Sequence, residues 1–338
     1  MNTIIIGLGP HGRRVLKAAR DVKKLNVYGL VDLSREVLDS IEITEKVFKS
    51  QDLDETLKDK SIEVACITTN GPSHAFLAIK CMEAGVKKIM VEKPLACSVE
   101  DCQKMLDLAE QYGVKLIVDH PRRVSKNYGL VQQMIANGEL GELRNIYIQR
   151  PGIGLGCLAT HSFDLANFFA GKPVKSVNGW VDEPKKKNPR GEKFVDPGGT
   201  VVLDYGDGVK GLISQIEDGA GPIFVEINLT AARVHIDEKT DRLEILKRDL
   251  SIDKGPGRPA TYEHVANPNG IGGKRNLIHE ITRLLEDLVS ENESKSKAQY
   301  GYDSIEILVA AYVSHEEGHR SVPLPLDKKY HSKWLSIT

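Results

Sequence analysis

Apolar residues in the first third of the chain come in short, unbroken runs: Thr3-Ile4-Ile5-Ile6, then residues 27–31, 64–67, 89–91 and 114–118. Runs of this length, rich in β-branched residues and without polar alternation, predict strands buried on both faces. Between them lie stretches of helical period at 13–23 and 73–84, the second stopped by Gly85. A third helix is capped by Ser98, with Glu100 and Asp101 in its first turn. Strict alternation of the two patterns predicts a parallel, doubly wound α/β domain.

From Pro121 onward the rhythm changes. Helices are expected at 128–137 and 162–169, with a strand at 143–149 between them. Six strand-like runs then follow without intervening helices, at 174–181, 199–205, 208–216, 223–230, 232–237 and 242–247. Gly206-Asp207-Gly208 reads as a tight hairpin turn. Consecutive strands with short turns predict a large, mostly antiparallel open sheet in a second, α+β domain. Amphipathic helices at 276–290 and 304–317 are expected to cover one face of that sheet. The other face is left as a homodimer or homotetramer interface. Residues 251–269, rich in Gly and Pro, are expected to form a long loop. The expected domains are 1–121 and 122–338.

Composition narrows the function classes. The chain has 338 residues, 41% hydrophobic and 28% charged, with a net charge of -1. That balance argues against broad electrostatic binding of nucleic acid or an anionic membrane. The basic cluster Lys185-Lys186-Lys187 reads as a solvated loop. Five cysteines, odd in number and without a Cys-x-x-Cys pair, indicate neither a disulfide framework nor a zinc site. No apolar run reaches membrane-spanning length, and the first residues lead straight into a strand rather than a signal core. The cytoplasm is the expected compartment. His315 and His319 have metal-ligand spacing, but their position at a helix end suits a dipole contact better, and no metal is expected.

The chemistry begins at Gly7-Leu8-Gly9-Pro10-His11-Gly12, which has a strand before it and a helix after it. In that context Gly-x-Gly-x-x-Gly is a dinucleotide loop. Gly7 permits the turn, Gly9 lets the backbone approach a pyrophosphate, and Gly12 allows close packing of helix on strand. His11 has two open readings, pyrophosphate contact or solvent. Asp32 ends the second strand and is placed to accept hydrogen bonds from the adenosine ribose, which favours NAD over NADP. Ser34 and Arg35 follow in the same loop and would suit a 2′-phosphate, so both cofactors stay open. The polar turn Thr68-Thr69-Asn70-Gly71-Pro72 lies where a ribose would pass. Glu92-Lys93-Pro94 ends the next strand and puts Lys93 at the ligand-bearing edge of the sheet.

Several further segments join these. They are Thr69-Asn70-Gly71-Pro72-Ser73-His74, Glu92-Lys93-Pro94-Leu95, and Arg122-Arg123 followed by Tyr128. Near the end come Ser304-Ile305-Glu306-Ile307-Leu308 and Ser321-Val322-Pro323-Leu324-Pro325-Leu326. Taken in this order, the chain resembles the Gfo/Idh/MocA oxidoreductases, named after glucose-fructose oxidoreductase and inositol dehydrogenase. The resemblance implies an NAD(P)-dependent dehydrogenase or reductase acting on a sugar, polyol or sugar derivative. It implies that Lys93 stands beside the substrate carbinol and that Glu92 orients it or touches the nicotinamide side. His161, in His161-Ser162-Phe163-Asp164, would carry the hydroxyl proton. His74 and Arg122 would lie near the cofactor, and Arg123 and Tyr128 near the substrate. Two departures stand out: Cys157 where many members have an aspartate, and Pro121 where a polar residue is usual. A thiol replaces a carboxylate poorly in holding a hydroxyl. A dinucleotide-binding regulator, or a reductase of an imine or tetrapyrrole, therefore stays open beside the sugar oxidoreductase.

Overall fold

The fold was obtained as a computed structural model. It describes residues 1–43, 46–152, 154–184, 187–188, 190–217, 219, 221, 223–238, 240, 242–249, 262–266 and 275–337. In chain order, β1 (Asn2–Ile6) turns into α1 (Pro10–Asp21), which takes Pro10 at its first position, where the missing N–H would have had no helical partner. β2 (Asn26–Val31), α2 (Arg35–Asp39), β3 (Phe48–Ser50) and α3 (Leu53–Thr56) follow. Next come β4 (Ile62–Ile67), α4 (Gly71–Glu83), β5 (Lys88–Val91), α5 (Val99–Tyr112) and β6 (Lys115–Val118). These six strands form a parallel sheet in the order β3-β2-β1-β4-β5-β6. The order reverses between β1 and β4, the switch point outside whose strand ends such sheets bind their ligands.

Ser98 accepts from the Asp101 N–H at 3.1 Å and caps α5 as its sequence implies. Ser98→Ala should lower stability by about 1 kcal/mol. The denaturant midpoint checks this, and an unmoved midpoint would mean the cap is idle.

The chain continues through α6 (Lys126–Ala136), β7 (Leu143–Pro151), α7 (Thr160–Ala170), β8 (Ser176–Val181), β9 (Gly199–Gly206) and β10 (Val209–Ile216). It then forms β11 (Phe224–Leu229), β12 (Ala232–Asp237), β13 (Arg242–Arg248) and β14 (Tyr262–Ala266). The last elements are α8 (Leu277–Leu288), α9 (Ala298–Glu316) and β15 (Val322–Pro323). The second sheet has the order β14-β13-β12-β11-β7-β10-β9-β8-β15. Its neighbours are antiparallel except β7 and β10, which run parallel. The hairpin between β9 and β10 holds Gly206, Asp207 and Gly208 at φ of 78°, 54° and 77°, a run that Gly and Asp tolerate best.

Three sequence expectations are corrected. Within the segment read as a loop, Tyr262–Ala266 pairs with β13 as a strand; residues 251–261 and 267–269 lie outside the described residues, as do Lys185 and Lys186. The chain does not divide cleanly at 121. The first compact unit comprises Met1–Val124, Asn276–Glu306 and Lys328–Thr338, and the second Ser125–Arg275 and Ile307–Asp327. Finally, α8 does not cover the second sheet. Its apolar stripe, Ile281, Leu284, Leu285 and Leu288, shares one buried cluster with Val15, Leu16, Ala18 and Ala19 of α1. An apolar stripe satisfies either sheet equally well, so its periodicity could not choose.

In the second unit, one sheet face is buried and the other carries Trp180, Leu212 and Ile216, all exposed. Among the described residues, no helix is long and apolar enough to cross a membrane.

Candidate active site

In the first unit, the carboxyl ends of β1, β2, β4, β5 and β6 bring most of the expected residues to one edge. Gly7 adopts φ +89°. A methyl at position 12 would sit 2.0 Å from the Gly7 carbonyl oxygen, whereas one at position 9 would meet no protein atom within 4 Å. The loop is therefore tight beneath Gly12 and open above Gly9, the arrangement that lets a pyrophosphate approach the backbone. Thr68 is buried under the loop and donates to the Gly7 carbonyl at 2.6 Å. It braces the glycines and offers little surface to a ligand.

The Asp32 carboxylate accepts from the backbone N–H of Leu8 at 2.7 Å and of Ser34 at 2.9 Å. Each oxygen keeps a lone pair, enough for a ribose hydroxyl. The Ser34 hydroxyl caps α2 by accepting from Val37 N–H, and Arg35 pairs with Asp39 at 3.0 Å. Both groups proposed for a 2′-phosphate thus have local partners, although the Ser34 hydroxyl keeps its proton to donate and Arg35 stays exposed.

In the turn after β4, the Thr69 hydroxyl bonds that of Ser73 at 2.7 Å. Asn70 stands exposed at the N-cap of α4; its side chain caps no helix N–H, and its Oδ1 accepts from the Ser73 hydroxyl at 3.4 Å. His74 is fully buried, with Nδ1 2.7 Å from the Pro94 carbonyl and Nε2 3.3 Å from that of Thr69. Burial pulls its pKa below the ordinary value, against the two carbonyls and Glu92 that favour its charge. A neutral ring donating to Pro94 ties the turn after β5 to α4. With no exposed surface, His74 supports the site from beneath and does not line it.

Lys93 is buried to 7% exposure, and its Nζ is 4.0 Å from Glu92 Oε2. The Glu92 N–H donates to Ile67, which fixes the end of β5 against β4. His11, from the glycine loop, has Nε2 2.7 Å from Asp119 Oδ2 at the end of β6. Arg122 and Arg123 are both buried, and the Arg123 guanidinium lies 3.5 Å over the Tyr300 ring, a packing partner sequence spacing does not reveal.

The second unit holds the remaining candidates. A wide π-helical turn, Leu155–Ala159, runs into α7 and carries Cys157, with His161 half-buried one turn on. The Asp196 carboxylate accepts from Gly156 N–H and Cys157 N–H, each at 2.7 Å, and so caps this turn. Arg190 Nη1 stands 3.3 Å from the Cys157 sulfur. Tyr128 is buried and donates to Glu238 at 2.7 Å, beside Arg150 at 3.5 Å and Arg275 at 3.7 Å. It belongs to a buried ion cluster. His315 accepts from Val181 N–H at 3.3 Å, and His319 lies 2.9 Å from the Gly179 carbonyl and stacks on Trp180; both rings are spent on β8.

Asp119, Asp196 and Glu238 escaped the sequence reading. Asp119 had a usable signal, since it closes a strand at the ligand-bearing edge. Asp196 and Glu238 act across long sequence separations and had none.

Residues 1–120 match the model of the Gfo/Idh/MocA family, an oxidoreductase family with an NAD-binding Rossmann fold. The inositol 2-dehydrogenase of Salmonella typhimurium is 29% identical over 144 residues, 41% of this chain and 42% of that enzyme's length. The chain thus matches well under two thirds of that relative. The myo-inositol 2-dehydrogenase of Thermotoga maritima is 24% identical over 270 residues, 70% of this chain and 79% of its own. The WlbA dehydrogenase of Bordetella pertussis, solved with NADH and UDP-GlcNAcA, superposes with a TM-score of 0.79 at 19% identity over 97% of this chain and 98% of that one. At that identity the likeness is one of fold.

Proposed function

For a chain that belongs to the Gfo/Idh/MocA oxidoreductases through its residues 1–120, we propose the activity of an NAD-dependent dehydrogenase acting on a carbinol carbon of a sugar, polyol or sugar derivative. The observation that carries this reading is Lys93, buried beside Glu92 at the same sheet edge as the open glycine loop. The fit to a dinucleotide rests on the free approach at Gly9, the bracing of Gly7 and the spare lone pairs of Asp32. Bound there, NAD would supply the hydride acceptor.

The chain's own part is to bind and to manage a proton. The Lys93 ammonium donates a hydrogen bond to the substrate oxygen as negative charge gathers on it. The imidazole of His161 accepts the hydroxyl proton in oxidation and returns it in reduction, an assignment that rests on its motif. Glu92, 4.0 Å from the Lys93 amine, orients that lysine. We assign the open face of the second sheet, with Trp180, Leu212 and Ile216, to a homo-oligomer contact. We assign the protein to the cytoplasm, a reading that its five free cysteines support.

A turnover panel of polyols, aldoses, sugar phosphates and nucleotide sugars, read by nicotinamide absorbance, tests the activity. With any substrate found, kcat/KM for NAD should exceed that for NADP by roughly tenfold or more, because the Asp32 carboxylate repels a 2′-phosphate. Equal values would remove Asp32 as the selector.

Cys157 favours a second reading, a dinucleotide-binding regulator. Silence across the panel in a protein that still binds NAD would favour it.

A further inference from the structure

His11 and Asp119 have no part in the proton handling just described, yet they form a close charged contact at the sheet edge, 2.7 Å from Nε2 to Oδ2. Asp119 is sealed in: its side chain is 1% exposed, and Oδ1 is buried without a hydrogen-bond partner among the described residues. A carboxylate buried with one oxygen orphaned requires a compensating charge nearby. The His11 ring is the group that reaches it, 2.7 Å from Oδ2. From the turn after β5, Glu92 favours the charged ring and Lys93 opposes it. Burial also opposes it, but the bond and charge of Asp119, with Glu92, prevail and raise the His11 pKa.

The ring is held at one nitrogen only. His11 is 22% exposed, and its Nδ1 makes no hydrogen bond among the described residues. It lies in the first turn of α1, two residues past the open backbone at Gly9. That turn has no acidic residue to repel an anion. Arg13, the next cation along, is tied to the Leu8 carbonyl at 3.2 Å and the Ser40 hydroxyl at 2.7 Å.

We propose that His11 is a side-chain ligand for the dinucleotide pyrophosphate, with Asp119 as the positioning residue that holds its imidazolium in place. This rests on the dinucleotide-binding reading of the first unit and adds to it. The Nδ1–H gives a phosphoryl oxygen a charge-assisted hydrogen bond, beside the free N–H groups of the helix start. Such a ligand makes affinity depend on pH. Binding is tight while His11 is charged and weakens as pH rises through its raised pKa. By linkage, bound dinucleotide must raise that pKa further.

Calorimetric titration of the intact protein with NAD and NADH between about pH 6 and pH 9 tests this. For the unaltered protein, Kd should rise by about tenfold across that range. His11→Gln should bind at the weak, high-pH level throughout. Asp119→Asn should move the transition to lower pH, since the neutral amide no longer favours the charged ring. The His11 ring resonance, identified by its loss in His11→Gln, should titrate at higher pH with NAD present than without; this readout uses the unaltered protein and does not depend on a variant folding well. An undiminished pH slope in His11→Gln, or a His11 titration that NAD leaves unmoved, would overturn the assignment while leaving dinucleotide binding intact. Failure of the unaltered protein to bind NAD at any pH would overturn the reading of the first unit, and this assignment with it.

Discussion

Lys93→Met is expected to lower kcat by about 10²–10⁴-fold while NAD still binds. Methionine keeps the length and apolar stem of lysine and removes its charge and its donors. At an effective dielectric of about 20, an ammonium about 4 Å from a developing alkoxide contributes roughly 4 kcal/mol, close to three decades in rate. Binding should change far less, because Lys93 is buried beside Glu92 at the end of β5, whereas the pyrophosphate approach lies at the glycine loop. Lys93→Arg should recover part of the rate, since it restores charge without the geometry of a primary amine. Steady-state kinetics alongside NAD titration make the check. A kcat within about threefold of the unaltered protein would remove Lys93 from the chemistry.

The second large effect separates two glycines. A methyl at Gly12 would lie 2.0 Å from the Gly7 carbonyl and 2.8 Å from the Thr68 hydroxyl, which itself donates to that carbonyl at 2.6 Å. Backbone faces the new methyl, so relief requires α1 to move off β1. Gly12→Ala should cost about 1–3 kcal/mol or more in stability and weaken NAD by roughly a hundredfold or more. Gly9 has φ −62°, which any residue adopts, and a methyl there meets nothing in the protein. Gly9→Ala should leave the melting temperature unchanged and still weaken NAD, because the methyl fills the space the pyrophosphate needs. Unfolding curves and titrations on both variants decide the point. Full NAD affinity in Gly9→Ala would place the phosphates elsewhere.

The first sheet was readable because buried parallel strands are written as continuous apolar runs, and the glycine loop because each glycine answers a local steric demand. Asp32 was readable for the same reason, as a polar residue at a strand end. What the sequence hid is long-range. The partner of α8 depended on which sheet lacked a cover. The His11–Asp119 contact joins the loop after the first strand to the end of the sixth, and no local pattern links the two. Arg123 and Tyr128 carry the polar groups expected of substrate ligands, and the structure gives them partners that spacing does not predict, the Tyr300 ring and Glu238. Motif spacing finds residues; it does not report what already occupies their polar ends.

Synthesis on the ribosome gives the return of α8 a further meaning. Residues 1–124 are made first, yet the stripe that packs with Val15, Leu16 and Ala19 belongs to α8, and residues 328–338 belong to the same unit. While the whole of 125–275 is being added, the outer side of α1 has no helix to rest against. It is the kind of apolar surface that chaperones shelter in incomplete chains. The unit begun first is the last to close.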